Sequence, residues 1–323
     1  MRLGRCSLCV LALLSGVTAR ADLTLRHSFT FKFAAFVPPE IRSQAGQQMK
    51  AVLPDEVLVR VKGDRVYSSF GPLFTVTDYG HNQITLLNPK SKEFATVPLN
   101  EYFDRVGNAQ QIPALPPEVQ RTLGDLNFDV QTRMTGQASM IQGMRAEENV
   151  LVLAINAPGL QGVPSAMRLE MQFWVAQAAG IRGLPALREL ADYAERAQRA
   201  FDPAQMIQKT FSMLPEMSDS LRAPLEQLIK ANNGLVLKVH SGVYIPALAQ
   251  LLSLSGQAPD GVDPNGPLAE FQMELSDISD APIDDSVFAI PADYQAAQLE
   301  KLIQAEIQAP PLVPTVTPPK APR

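Results

Sequence analysis

Past residue 21 the chain alternates. Leu23, Leu25, Phe29, Phe31 and Phe33 take every second place in DLTLRHSFTFKF, with Thr24, Arg26, Ser28, Thr30 and Lys32 between them. A period of two predicts a strand with one apolar face, and His27 falls on that face as a core or strand-end residue. After a Pro-Pro and Gln-rich connection (37–54), the runs EVLVRVK, DRVYSSF, LFTVTDY, QITLLN and EFATVP follow in quick succession. Gly63-Asp64, Gly71-Pro72, Gly80-His81-Asn82 and Asn88-Pro89-Lys90 separate them, and these are turn formers at hairpin spacing. The stretch 22–98 therefore predicts an antiparallel meander.

Residues 100–126, with Pro113, Pro116 and Pro117, break the alternation and predict one or two short helices. A second β series then begins with FDVQTRMTG, SMIQGMRAEENVLVLAIN and MRLEMQFWVA. Between 178 and 233 the period changes. Leu184, Leu187, Leu190 and Tyr193 share one helical face and charges fill the other, which predicts a helical insertion ending near Asn232-Asn233-Gly234. Strands resume with GLVLKVHSGVYIP and LAEFQMELSDIS, and a last helix is expected over 293–308.

The organisation that follows is a signal peptide (1–21), a first sheet portion (22–177), the helical insertion (178–233), the remaining sheet with a final helix (234–308) and a Pro-rich tail (309–323). The expected fold is mainly β with added helices (α+β): a curved antiparallel half-barrel with a helical lid.

The first residues set the expected compartment. Arg2 and Arg5 precede a short apolar run, and Ala19-Arg20-Ala21 is a small-residue cleavage pattern, so export to the periplasm or beyond is expected, with cleavage after Ala21. Cys6 and Cys9, the chain's two cysteines, would leave with this segment, removing disulfides and thiol chemistry from the exported protein. The formal charge of −5 becomes about −8 without Arg2, Arg5 and Arg20, which disfavours nucleic acid as a partner. No apolar run after residue 21 is long enough to predict a transmembrane segment.

Sequence patterns for catalysis are sparse. His27, His81 and His240 lie far apart, and no HExxH, GxSxG, Walker loop or GxGxxG is present. No catalytic residue, cofactor or metal set is assigned. The acidic stretch ISDAPIDDSVFAIPADYQ (278–295) lacks the spaced oxygens of a calcium loop and reads as a turn after a final strand. Neighbours in a strand point to opposite faces, so Glu147-Glu148 is a poor acid–base pair. The apolar inventory is richer. Leu25, Phe29, Phe31, Phe33, Val57, Val59, Val61, Phe74, Trp174 and Val236 would line the inner face of a curved sheet, either as a ligand cavity or as a packed core.

Five segments in fixed order, VTDYGHNQITLLNPKSKEFATVP, MIQGMRAEE, FWVAQAAGI, GLVLKVHSG and FQMELSDISDAPIDDSVFAIPADYQ, resemble exported bacterial proteins carrying a domain-of-unknown-function label. That group is in turn similar to the lipoprotein-sorting carrier superfamily of the cell envelope. The resemblance implies an incomplete β-barrel with a helical lid, holding acyl chains or a lipidated partner; the arginine-bearing carrier motifs are absent here. The expectation is a non-enzymatic envelope protein binding lipid or lipidated protein in a half-barrel cavity. The alternative is an envelope interaction or structural protein with a filled core and no ligand, whose insertion or tail would contact a partner.

Overall fold

The computed structural model describes residues 22–37, 39–52, 56–69, 72–109, 127–156, 166–177, 180–181, 187–188, 190–192, 195, 234–246 and 266–307. Its elements are β1 (Leu23–Phe33), α1 (Pro39–Val52), β2 (Glu56–Lys62), β3 (Arg65–Ser68), β4 (Phe74–Asp78), β5 (Gln83–Asn88), β6 (Glu93–Pro98) and α2 (Leu99–Ala109). There follow β7 (Asn127–Ile141), β8 (Met144–Asn156), β9 (Met167–Gln177), β10 (Gly234–Tyr244), β11 (Ala269–Ser279), β12 (Gln295–Ala296) and α3 (Leu299–Ile307). The predicted signal peptide and Pro-rich tail lie outside the described residues, as does most of the predicted helical insertion.

The twelve described strands form one sheet, in the order β12-β6-β5-β4-β3-β2-β1-β11-β10-β9-β8-β7. Two antiparallel meanders, β1 to β6 and β7 to β11, are joined where β1 pairs with β11 from Thr24↔Ser279 to Phe33↔Ala269. Among the described strands, β12 with β6 is the one parallel pair. The turns of the first meander fall where the turn residues stand. Gly63, Asn82 and Lys92 take positive φ, and the Asn88 side chain accepts from the backbone N–H of Lys90 and Ser91 at 2.9 and 3.1 Å. The β7–β8 hairpin turns on Gln142 (φ 48°) and Gly143 (φ 75°), a two-residue loop with both central residues left-handed.

The expected half-barrel with a helical lid is overturned. The sheet is open, with β12 at one end and β7 at the other and no pairing between them. Nor do α2 and α3 roof a concavity: they pack on each other and on the β5–β6 end through Leu99, Leu299, Leu302 and Ile303 against Ile84, Leu86, Ala95 and Val97. The reason is physical. Alternation and turn residues set which strands neighbour each other locally, whereas closure depends on tilt and stagger summed over all strands.

The main core is continuous. Leu23, Leu25, Val57, Val59, Val61 and Val66 pack with Ile141, Met144 and Ala146 of the β7–β8 hairpin and with Leu237 and Leu275. Ile181, Leu190 and Ala191, at helical positions in the 178–233 stretch, are buried in the same cluster, with Leu187 against it. Each Leu or Ile buried this way stabilises the fold by roughly 1.5–3 kcal/mol relative to exposure.

Candidate functional site

The residues expected to line a cavity are dispersed. Leu25, Val57, Val59 and Val61 are buried in the main core, and Phe29 and Trp174 pack against it half-buried. Phe74 belongs to a different cluster, edge-on to Tyr67 at 5.8 Å. Phe31 and Phe33 meet each other edge-on at 4.7 Å, beyond the main core. At Val236 a register shift between β9 and β10 intervenes, so the neighbouring Leu237 is the residue buried in the core. Ile181 and Leu190 are buried in the same main core as Leu25, Val59 and Val61, each 1% exposed or less. The half-barrel cavity expectation is corrected by the open sheet, which ends in β12 and β7 with no pairing between them.

The acidic stretch 278–295 is a latch. Asp284 caps a short 3-10 turn, Asp285–Phe288, accepting from Ser286 N–H at 2.8 Å. Asp285 receives Arg65 at 2.5 Å and lies 3.4 Å from Lys62 Nζ. Lys62 donates to the Ile283 carbonyl at 2.6 Å, and Ile283 N–H donates to Asp22. Arg65 also covers the Phe288 ring at 4.8 Å, and Phe288 is buried with Val76, Leu87 and Ile283. Hydrogen bonds from Arg65 and then Lys62 hold the Asp285 carboxyl below the usual range, and those of Ser286 do the same for Asp284.

Beside the latch lies an open depression of about 440 Å³ edged by Asp22, Lys62, Gly63, Asp64, Arg65, Asp78, Gly80 and His81. His81 Nδ1 is 2.8 Å from Asp78 Oδ2, and His81 N–H donates to Oδ1 at 3.0 Å. Burial pushes the Asp78 carboxyl up, but hydrogen bonds from His81 and Gly80 together outweigh it and leave it lowered. Among the described residues no serine, threonine or cysteine edges the depression to serve as a nucleophile, and Lys62 and Arg65 are engaged by Asp285, Asp22 and a carbonyl. Its chemistry is that of a turn held in place.

A polar patch occupies one face of β9 to β11. His240 sits between Gln172 (Nδ1 to Oε1, 3.1 Å) and Glu270 (Nε2 to Oε1, 3.3 Å). Lys238 pairs with Glu274 at 3.2 Å and covers the Trp174 ring at 5.0 Å. Arg168 stacks on Tyr244 at 4.2 Å, and that ring lies over Gly242, where a Cβ would come within 2.9 Å of it. Burial, then the nearby Glu170, pushes the Tyr244 hydroxyl up, with Arg168 opposing. Both ring nitrogens of His240 are engaged and Ser241 is on the opposite face, so no nucleophile–base pair forms there. His27 is on β1 opposite Val57 and Leu275, far in the fold from His81's turn, and burial lowers its pKa. Glu148 is buried and accepts from Thr135 Oγ1 at 2.6 Å, whereas Glu147 faces the other way, towards Arg145 at 3.5 Å. Among the described residues no group of three or more His, Cys, Asp or Glu is arranged to hold a metal.

The remaining feature is the outer edge of β7, which among the described strands pairs with β8 alone and carries Met134 and Met140 at 65% and 66% exposure. Nothing in the sequence patterns above singled it out. Its signal was an eight-residue alternating run, NFDVQTRM, with no proline or lysine to blunt an edge.

No protein-family model matches the chain, and no curated protein matches it. Among solved structures it is similar to the Mycobacterium tuberculosis lipoprotein LppX, at 8% identity and a TM-score of 0.24, over 82% of this chain and 88% of that one. A superposition that loose fixes no residue correspondence, and no ligand or role passes across it.

Proposed function

We propose that the chain is an exported, non-enzymatic cell-envelope protein that acts by binding another protein, with an interior filled by its own side chains and no bound ligand. The observation that carries this reading is the open sheet, which encloses no half-barrel, with Ile181 and Leu190 in one apolar cluster with Leu25, Val59 and Val61. The open end of the sheet supports it further, since an unpaired strand edge offers main-chain donors and acceptors to an incoming strand. No helix among the described residues is long and apolar enough to cross a membrane.

The test places a photoreactive residue at Met134, on the open end, and at Ile290, an exposed apolar residue on the latched segment. In cells, Met134 is expected to give a protein adduct and Ile290 none. Native mass spectrometry of the chain purified from envelope extract is expected to give the unliganded mass. A stoichiometric lipid adduct, or silence at Met134, would overturn the reading.

A further inference from the structure

The backbone of β7 has a definite polarity of exposure. The Ile155 carbonyl accepts from Ala166 N–H, so odd-numbered residues of β8 turn their backbone towards β9 and even-numbered ones towards β7. The β7 partners of Val150, Val152, Ala154 and Asn156 are Arg133, Gln131, Asp129 and Asn127. The residues between them, Phe128, Val130, Thr132 and Met134, direct their N–H and C=O groups away from β8, to the open edge. Regular pairing ends after Met134, where the register with β8 shifts and Gly136 takes φ 75°. The template is thus eight residues long, and it lacks the proline, lysine or inward-facing charge with which edge strands are usually protected.

Side chains on this template are self-complementary. Asp129, Gln131 and Arg133 share one exposed face, with Gln131 Nε2 donating to Asp129 at 2.8 Å. If the strand meets itself antiparallel about a two-fold axis at Gln131, Asp129 faces the second copy's Arg133 twice, and Phe128 faces the second copy's Met134. Moving the axis to residue 130 or 132 leaves both charges opposite neutral residues. Moving it to 129 or 133 opposes like charges, which destabilises a pair. We propose that this edge of β7 pairs with the same edge of a second copy in that register. The proposal rests on the reading of the chain as a protein-binding sheet and names its partner.

Sedimentation equilibrium on the purified full chain tests it. Wild type is expected to show a concentration-dependent dimer. Asp129→Arg and Arg133→Asp singly are expected to weaken it by on the order of 10-fold, and the double exchange to restore it. Gln131→Cys supplies a second readout. Cα atoms of a non-hydrogen-bonded antiparallel pair lie about 4.5 Å apart, within disulfide range. This variant is therefore expected to give a reducible dimer that wild type does not form. The readout holds even if a charge reversal fails to fold. A chain that stays monomeric with Gln131→Cys unlinked, or a dimer indifferent to both reversals, would overturn the proposal. A Met134 adduct to a different protein, with the chain itself monomeric, would remove the second copy and leave the protein-binding reading standing.

Discussion

At the β6 end of the sheet, the chain around β12 donates from Gln295 N–H to the Lys92 carbonyl at 2.9 Å and from Ala297 N–H to the Phe94 carbonyl at 2.8 Å. α3 then packs its Leu299, Leu302 and Ile303 stripe against β5, β6 and α2. Ion pairs tie the same segment down: Lys92 to Asp293 at 2.8 Å, Arg105 to Glu300 at 2.8 Å and Lys301 to Glu93 at 2.7 Å. At the β7 end no described element covers the outer edge, and its outward side chains are exposed. One sheet thus has an edge closed by its own C-terminal segment and an edge left open. An open strand edge is an aggregation hazard in a monomer.

The comparison breaks most sharply at Phe288, the buried anchor of the latch. Phe288→Ala is expected to cost about 3–5 kcal/mol in denaturant unfolding, because it removes a packed ring that its neighbours cannot replace. If the cost is below 1 kcal/mol, the closed end is not held by packing. A smaller effect lies in the shared middle strand. Burial lowers the pKa of His27 from its ordinary 6.5. Below that value the unfolded chain binds a proton that the folded chain resists, so stability is full above it and is lost as pH falls through the folded value. Melting temperature should therefore drop between pH 7 and pH 5 in wild type, and the slope should flatten in His27→Gln.

The carboxylates of the latch and of α3 titrate at lower pH. Asp284, Asp285, Asp293 and Glu300 are all held low by hydrogen-bonded partners. Their contribution is present above the ordinary carboxylate range and is lost only as pH falls below about 4. The smallest effect is expected at the open end. Asp129→Asn should leave unfolding stability within about 0.5 kcal/mol while weakening self-association. A large loss of stability there would mean that the edge is structural rather than displayed.

Much of this was legible in the residues and some was not. Gly63, Asn82 and Asn88 between period-two runs marked the first meander, and Leu23, Leu25, Val57, Val59 and Val61 were readable as an inner face. α1 was read as a connection because PEIRSQAGQQMKAV carries no strong apolar stripe. The burial of Leu237 in place of Val236 turns on a one-residue register shift, which periodicity cannot register. Asp285 was visible as an acidic turn residue, but its partner Arg65 lies 220 positions away. The open end was hidden for a related reason: a strand is an edge only by virtue of what fails to pair with it, and no local pattern records that.

A filled interior would leave the sheet's surface to do the work. Val61 is fully buried in the cluster that holds Leu23, Leu25, Ile181, Leu190 and Ala191, and Val61→Phe adds a ring at that point. In a filled core, denaturant unfolding should show a loss of about 1–3 kcal/mol from overpacking. Unchanged or increased stability would mean that the ring had found empty space, and would contradict the account.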